Sequence, residues 1–331
     1  MRILFITATR VGDAVLSTGL LDHLIGENPD ARVTVACGPM AAPLFEAVPN
    51  LERIIVLEKK AFSLHWVRLW AACVGRYWDV LVDLRNSPMP YLLAARARRR
   101  RGGGREPVHR VRQLAQVAGL EAEPPAPRLW VAEKHQAKAR ALVPDGPPVL
   151  AVGPTANWEA KMWGAGNFTQ LVGRLCAADG ILPGARVAVF GHAAERPAAR
   201  GLIDAIPPER CIDLVGQGDL LAVFACLRRC AFYVGNDSGL MHMAAASGVP
   251  TLGLFGPSDP GRYAPWGPLT AVARTAIPFE ELVGAPDFDH RATASLMDSL
   301  SVDAAETAAR ALWRRCQGQA ACTGAMRGMP G

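Results

Sequence analysis

Apolar residues in this chain fall into short runs that alternate with amphipathic helical stretches. The first run, Ile3–Ala8, is typical of a strand buried on both faces of a parallel sheet. A segment with valine and leucine at helical spacing follows it directly. Repetition of this pattern predicts an α/β fold with a doubly wound parallel sheet. The strands predicted in the first half are Ile3–Ala8, Val33–Cys37, Arg53–Leu57 and Val80–Leu84.

The pattern stops at Pro144–Pro148 and then begins again. Before this break, Leu129–Ala132 is predicted as a further strand and Glu133–Leu142 as a helix. We therefore predict two such domains, residues 1–145 and 146–316, facing a cleft. The small residues and glycines of 317–331 predict a disordered tail. The strands predicted in the second half are Val149–Gly153, Arg186–Phe190, Cys211–Leu214, Cys230–Val234 and Thr251–Phe255.

The segment 62–77 has a helical face that is rich in aromatic and aliphatic residues. Packing of this face against the sheet is one explanation, and contact with a membrane interface is the other. The residues at this spacing are Phe62, Trp66, Leu69, Trp70, Cys73, Val74 and Tyr77.

Composition narrows the class of protein. The chain has 331 residues, half of them apolar and 20% charged, which suits two folded domains. Its apolar runs are all shorter than the ~20 residues that a membrane helix needs, and the first residues do not resemble a signal peptide. Eight cysteines without metal-ligand spacing predict free thiols and no structural zinc. We expect a cytoplasmic protein.

The net charge of +6 indicates an anionic partner. The densest positive cluster lies between Arg96 and Arg112, around three consecutive glycines. It is interpreted as a solvated loop, as a site for a phosphorylated substrate, or as a contact for anionic lipid. Nucleic acid is not expected, because no recognition module accompanies the cluster. Its arginines are Arg96, Arg98, Arg99, Arg100, Arg101, Arg105, Arg110 and Arg112.

Several polar side chains directly follow predicted strands. Ligands of open α/β sheets bind at the carboxyl ends of the strands, so Asp13, after the first strand, is a functional candidate. Thr155, Asn157 and Lys161 follow the first strand of the second half and suit a diphosphate. Glu195 follows a later strand and could accept the hydroxyls of a ribose. A helix cap is the alternative role for both carboxylates.

The sequence NDSGLMH predicts a strand, a turn and the start of a helix at Leu240. Unpaired backbone N–H groups at a helix N-terminus bind phosphate well, so Asp237, Ser238 and Gly239 are candidates for such a site. His242 is expected at the same opening. The alternative is that Asp237 only caps the helix and His242 only packs.

These segments together resemble glycosyltransferase family 9, the bacterial heptosyltransferases. The resemblance extends from Arg2 to about Arg315 and is most specific at NDSGLMH and the LFGP that follows. It implies a GT-B fold of two Rossmann-like domains, with donor bound mainly by the second and acceptor by the first. The segments that carry it are VGDAVLST, PTANWEAKMW, GNDSGLMHMAAASGVPTLGLFGP, PWGP and MDSLSVDAAETAARAL.

The resemblance also implies roles for residues and partners. Asp13 matches the catalytic base, Lys161 the lysine that holds donor phosphate, and Glu195 a ribose contact. The implied reaction is an inverting, metal-independent transfer of heptose from an ADP-sugar to the lipopolysaccharide inner core, with no cofactor. The remaining donor-site positions are Thr155, Asn157, Asp237, Ser238, Gly239 and His242.

Two expectations concern the acceptor and the alternatives. Arg98, Arg99, Arg100 and Arg101 are expected, from charge alone, to contact a phosphorylated lipid-sugar acceptor. Peripheral contact with the cytoplasmic face of the inner membrane would then follow. A sugar-nucleotide epimerase with the same fold, and a non-catalytic lipid-binding protein, are the alternative functions.

Overall fold

The computed structural model describes residues 1–59, 61–102, 108–284, 289 and 294–327. The chain divides into two compact units. The first comprises Met1–Gln136 with the short segment Asp219–Ala222, and the second comprises Ala137–Gly218 with Val223–Gly331. The division runs through the helices α5, Glu133–Leu142, and α8, Leu220–Leu227.

The first unit contains a five-stranded sheet in the order β3-β2-β1-β4-β5, with all neighbours parallel. Strands of this order run to one side of β1 and then to the other, as in a doubly wound fold. Its strands are β1 Arg2–Ile6, β2 Arg32–Cys37, β3 Leu51–Val56, β4 Trp78–Asp83 and β5 Ala95–Arg100, and its helices are α1 Val11–Glu27, α2 Leu64–Cys73, α3 Met89–Leu92 and α4 Arg110–Ala115.

The second unit contains a six-stranded parallel sheet in the order β11-β10-β9-β6-β7-β8. Its strands are β6 Val149–Gly153, β7 Arg186–Gly191, β8 Cys211–Val215, β9 Phe232–Asn236, β10 Thr251–Phe255 and β11 Thr270–Arg274. The remaining helices are α6 Ala165–Leu175, α7 Arg196–Ala205, α9 Gly239–Ser247, α10 Pro260–Tyr263, α11 Phe279–Gly284 and α12 Val302–Arg327.

The predicted strands are confirmed to within a few residues, with one exception. Leu129–Ala132 is not a strand. Leu129 is buried, so its apolar character reflects packing of a connector rather than strand pairing. The connector is held to α1 by a hydrogen bond of 2.9 Å from the main-chain N–H of Arg128 to Thr18 Oγ1.

Two of the observed strands, β5 and β11, were not predicted. Both lie at the edge of a sheet, where one side of the strand is not paired and charged side chains are tolerated. Four of the six residues of β5 are arginine. The stretch that was interpreted as a charged loop is therefore partly a strand, paired with β4 in parallel register.

The expected disordered tail is helical from residue 317 to Arg327, as the end of α12. Alanine is frequent in this stretch and is the strongest helix former, which outweighs the two glycines. In the described part of the chain, no helix is both long enough and apolar enough to cross a membrane. The cysteines whose side chains are described are free thiols.

The aromatic segment 62–77 divides between core and surface. Leu69 and Cys73 of α2 are buried, and Trp66 packs against the same core. Other members of the predicted face are exposed: Phe62 is 97% exposed, Tyr77 56%, Val74 46% and Trp70 38%. Packing on the sheet thus explains only part of the face.

Candidate active site

The first candidate site lies at the carboxyl ends of β1 and β4. These are neighbouring strands, and the strand order of the first sheet reverses between them, which is where ligands bind in open α/β sheets. A pocket of about 190 Å³ opens here. Its lining includes Thr7, Thr9, Asp13, Arg85, Arg101 and Arg110.

Asp13 lies in the first turn of α1, whose N-cap is Arg10. The alternative role of Asp13 as the helix cap is therefore wrong. Its carboxylate Oδ1 lies 3.6 Å from Nε of Arg110, and 30% of the Asp13 side chain is exposed. Arg110 is almost buried, and its Nη1 also donates to Gln113 Oε1 over 2.6 Å. Asp13 is thus an accessible carboxylate beside a fixed positive charge.

The loop that carries Asp13 is held close to the sheet. Gly38, which follows β2, leaves room for it: a Cβ atom at this position would lie 2.6 Å from Cα of Thr9. Ser17 of α1 forms a hydrogen bond of 2.8 Å between its hydroxyl and that of Thr7. These contacts fix the first turn of α1 at the end of β1.

The four arginines expected at the acceptor differ in their surroundings. The guanidinium of Arg98 donates to three main-chain carbonyl oxygens, those of Pro90, Leu93 and Ala95. Arg100 lies over the ring of Tyr91, 4.7 Å from its centroid.

Arg99 pairs through its backbone with Val82 of β4. Arg101 lines the pocket that contains Asp13. Arg105 lies outside the described residues. Of the four arginines expected at the acceptor, Arg101 is therefore the one that lines the same pocket as Asp13.

The second candidate site lies at the carboxyl ends of β6 and β9, where the order of the second sheet reverses. Lys161 follows β6 and Asp237 follows β9. Lys161 Nζ lies 2.5 Å from Asp237 Oδ2, and their side chains are 13% and 7% exposed. The ammonium also lies over the ring of Trp158, 4.6 Å from its centroid. Asp237 thus holds Lys161 instead of capping the next helix.

The loop between β6 and α6 is anchored on both sides. The main-chain N–H of Trp163 donates to Asn236 Oδ1, and Asn236 Nδ2 donates to the carbonyl of Pro154. The indole Nε1 of Trp163 donates to the carbonyl of Leu300 over 2.9 Å. Trp163 is 2% exposed, so it packs in the core and anchors this loop. Lys161 is therefore presented from a fixed backbone.

Glu195 is positioned by Thr155, which is buried at the end of β6. Thr155 Oγ1 donates to Glu195 Oε2 over 2.8 Å, and the same oxygen accepts the main-chain N–H of His192 over 2.8 Å. The bond from His192 to Glu195 belongs to a capping box. Glu195 therefore also has the helix-capping role that was the alternative to ribose binding. Oε1 is not used in either bond. Asn157 is exposed on the loop after β6.

The helix α9 begins at Gly239 with Ser238 as its N-cap. No side chain caps it, so its first N–H groups point away from the helix without that partner. His242 is 5% exposed and lies one turn into the helix, and its place at the opening stays a prediction. Ser238 and Gly239, where an anion is predicted to bind, directly follow Asp237, which pairs with Lys161.

A family model for glycosyltransferase family 9 (heptosyltransferase) matches residues 82–283, which is more than half of the chain. The chain belongs to glycosyltransferase family 9. The match contains Thr155, Lys161, Glu195 and the NDSGLMH segment, and it does not reach Asp13. This protein is therefore a glycosyltransferase, as the resemblance of its sequence motifs implied.

Relatives in glycosyltransferase family 9 resemble this chain over most of their length. Lipooligosaccharide heptosyltransferase 2 of Haemophilus influenzae is 28% identical over 303 residues, covering 80% of this chain and 86% of the relative. Lipopolysaccharide heptosyltransferase 2 of Escherichia coli K12 is 27% identical over 298 residues, covering 78% and 84%. The family assignment therefore does not depend on one short motif.

Solved structures show the GT-B fold. The E. coli ADP-heptose LPS heptosyltransferase II matches with a TM-score of 0.72 at 22% identity, covering 96% of this chain and 100% of that one. The family 9 glycosyltransferase from Veillonella parvula matches with a TM-score of 0.74 at 19% identity, covering 94% and 97%. The predicted fold of two Rossmann-like parallel-sheet domains is confirmed.

Three residues of these sites were not predicted from the sequence. Arg85 follows β4. Asp13 was selected because it follows a predicted strand, and the same rule could have identified Arg85. Trp158 lies within the quoted segment PTANWEAKMW, next to Lys161 in space. Tyr233 is fully buried, and the absence of side chains at Gly153 and Gly235 leaves room for its hydroxyl; burial raises its pKa.

Proposed function

We propose that this protein transfers a heptose, or a related sugar, from an ADP-sugar to the inner core of lipopolysaccharide, with inversion of the anomeric carbon. Asp13 carries the proposal, because it is an accessible carboxylate in a polar pocket at the reversal point of the first sheet. The family, and the names of the relatives from H. influenzae and E. coli, support the class of substrate.

In the proposed reaction, Asp13 takes the proton of an acceptor hydroxyl as its oxygen attacks the anomeric carbon of the donor. The bond from that carbon to the diphosphate breaks, and ADP leaves from the opposite face. A single displacement of this kind inverts the anomeric configuration.

The leaving diphosphate gains negative charge, which Lys161 and the N-terminus of α9 are placed to stabilise. Lys161 is held in place by Asp237 and Trp158, so it needs little reorganisation to meet the charge on the diphosphate. Glu195 has one carboxylate oxygen available for a ribose hydroxyl, since Oε2 is already bonded to Thr155 and His192. We propose that these groups replace a metal ion.

The first unit also presents a surface that fits a lipid-bound acceptor. Exposed apolar side chains occur on α2 and α3, which pack against each other. We define the apolar patch as Leu64, Val67, Tyr91 and Leu92 of these helices together with Phe62, which precedes α2; these side chains are between 52% and 97% exposed.

Arginines of β5 border this patch, with Arg100 stacked on Tyr91 and Arg98 bonded to the main chain of α3. Apolar side chains beside cations fit the surface of an anionic bilayer. We propose peripheral contact with the cytoplasmic face of the inner membrane through this patch.

The experiment that tests the reaction is Asp13→Asn, assayed with ADP-heptose and a lipopolysaccharide acceptor that lacks the added sugar. Loss of a general base lowers turnover by about 10²–10⁴-fold. ADP affinity, which we assign to the second unit, should not change. Asp22→Asn, on the same helix and in an exposed pair with Arg128, is the matched control and should retain activity.

Turnover by Asp13→Asn close to that of the control would contradict the assignment of the base. Analysis of products with and without acceptor separates transfer from epimerisation, since an epimerase converts the donor when no acceptor is present. Vesicle binding without donor turnover would instead favour a non-catalytic lipid-binding protein.

A further inference from the structure

A fully buried tyrosine lies under the second candidate site. Tyr233 belongs to β9, which ends directly before Asp237, and its side chain is 0% exposed. Its hydroxyl lies over the ends of two neighbouring strands. Gly153 of β6 and Gly235 of β9 are partners in the sheet, and a Cβ atom at either glycine would collide with the phenol oxygen. Two glycines therefore leave the space that one phenol occupies.

The tyrosine hydroxyl lies next to the N-terminus of α9. The Cβ position of Gly153 is also 3.0 Å from Cδ2 of Leu240, which is in the first turn of that helix. The phenol oxygen and the first turn of α9 therefore border the same small space. Burial raises the pKa of Tyr233, and the side chain of Ser238 opposes this by stabilising the ionised phenol. Ser238 thus lies beside the tyrosine hydroxyl.

Ser238 is an N-cap residue whose side chain does not cap. A serine at this position usually accepts a hydrogen bond from a main-chain N–H of the first helical turn, but no such bond is present in α9. Oγ of Ser238 and the hydroxyl of Tyr233 are both buried, and neither has a partner in hydrogen-bond geometry among the described residues. The serine hydroxyl therefore lies near the phenol and not at the N–H groups that it could satisfy.

A serine cap and a bound anion compete for the same donors. The N–H groups of a first helical turn and the helix dipole attract phosphate, and a serine cap would occupy one of these N–H groups. In α9 they remain uncapped close to Lys161, whose ammonium lies 2.5 Å from Asp237, the residue before the cap. An uncapped helix end therefore suits a phosphate site, although a cap would make the helix more stable.

We propose that Tyr233 is a positioning residue that holds the hydroxyl of Ser238 away from the end of α9, so that the N–H groups of the first turn stay open to a phosphate of the donor. The proposal rests on the proposed function, and it adds a residue that controls donor affinity from below the site. Tyr233 is fully buried and acts through Ser238, not by touching the ligand. Either hydroxyl can be the donor in their contact.

Binding of ADP tests this without any transfer reaction. Affinities for ADP and for adenosine are measured by calorimetry on the full chain, and thermal unfolding shows whether each variant is folded. The variants are Tyr233→Phe, which removes only the hydroxyl, Ser238→Ala, and the double variant. Tyr77→Phe, which removes the hydroxyl of a tyrosine that is exposed in the first unit, is the matched control.

In Tyr233→Phe the serine is free to cap α9, so we expect the Kd for ADP to rise about fivefold, which corresponds to a cap of about 1 kcal/mol. Tm should rise as well, because the helix gains a cap and a buried hydroxyl without a partner is removed. No cap can form in the double variant, so its Kd for ADP should return to that of wild type. Removing a second hydroxyl would not restore affinity if Tyr233 only packed.

The other variants fix the interpretation. Ser238→Ala and Tyr77→Phe should each bind ADP like wild type. Adenosine has no phosphate, so its affinity should be the same in all of the proteins. The role of Tyr233 is overturned if Tyr233→Phe binds ADP like wild type, or if the double variant binds it as weakly as Tyr233→Phe. It is also overturned if Ser238→Ala alone weakens ADP binding, because the serine hydroxyl would then contact the phosphate itself.

These results are distinct from failure of the proposed reaction. Each of the three overturning results concerns ADP binding alone and leaves the transfer of heptose standing. A wild-type enzyme that shows the expected ADP affinities but transfers no heptose would refute the reaction and leave the role of Tyr233 in place. Absence of ADP binding by wild type would refute both.

Discussion

Replacing Lys161 by methionine separates the two roles that its position implies, stabilising the fold and binding phosphate. Its ammonium lies 2.5 Å from Asp237, in a pair whose side chains are 13% and 7% exposed. Removing one partner of a buried pair leaves an uncompensated charge and costs about 3–5 kcal/mol. For a unit of this size, about 3 kcal/mol lowers Tm by roughly 6–12 °C.

The double variant Lys161→Met with Asp237→Asn removes both charges. Replacing a buried ion pair by neutral groups is often nearly neutral in stability, so we expect most of the lost Tm to return. Affinity for ADP should not return, because the diphosphate still lacks its ammonium. A hydrogen bond to a charged group is worth about 1.5–3 kcal/mol, which predicts a Kd for ADP at least tenfold above that of wild type.

The assay pairs calorimetry with thermal unfolding and uses adenosine as the control ligand. Adenosine has no phosphate, so its affinity should be the same in wild type and in both variants. Lys138→Met, on the exposed side of α5, is the control for the loss of a lysine. Equal weakening of adenosine and ADP, or an unchanged Kd for ADP in the double variant, would refute the phosphate role of Lys161.

Two further predictions concern the nucleotide and the membrane. Glu195→Gln should lower affinity for ADP several-fold and leave that for 2′,3′-dideoxy-ADP unchanged, because the lost contact is to ribose hydroxyls; equal losses for both nucleotides would exclude this contact. The double change Leu64→Ser with Val67→Ser should reduce co-sedimentation with vesicles containing phosphatidylglycerol, whereas Val74→Ser, exposed beyond the last turn of α2, should not. Equal binding of wild type to neutral and anionic vesicles would argue against a charge-assisted surface.

Much of the fold followed from the sequence because its central strands are buried on both faces. Val149–Gly153 and Thr251–Phe255 were predicted with the observed bounds, since each is an apolar run between clear turns. The edge strands β5 and β11 were missed because only one of their sides is paired, and their sequences are more polar. The pattern of apolar residues reveals a strand only when its side chains are buried. It therefore does not identify edge strands whose side chains are only partly buried.

The candidate sites were predicted in part, for a different reason. Asp13 and Lys161 were found because both follow the first strand of a domain. The pairing of Lys161 with Asp237 joins residues 76 apart in the chain, and the strand order that brings them together is not encoded in any local pattern. The burial of His242 could not be predicted either, because it depends on which side of α9 faces the sheet.

The candidate sites of the two sheets lie at equivalent positions, but the side chains that follow the first strand carry opposite charges. In each, the strand order reverses next to the first strand of the unit, β1 or β6, and the side chain to which we assign a function follows that strand. In the first unit this side chain is an acid beside arginine, Asp13 with Arg110. In the second it is a cation beside an acid, Lys161 with Asp237. An accessible carboxylate suits proton removal and an almost buried ammonium suits a diphosphate, so the sign of the charge at each reversal point matches the substrate that we assign to that unit.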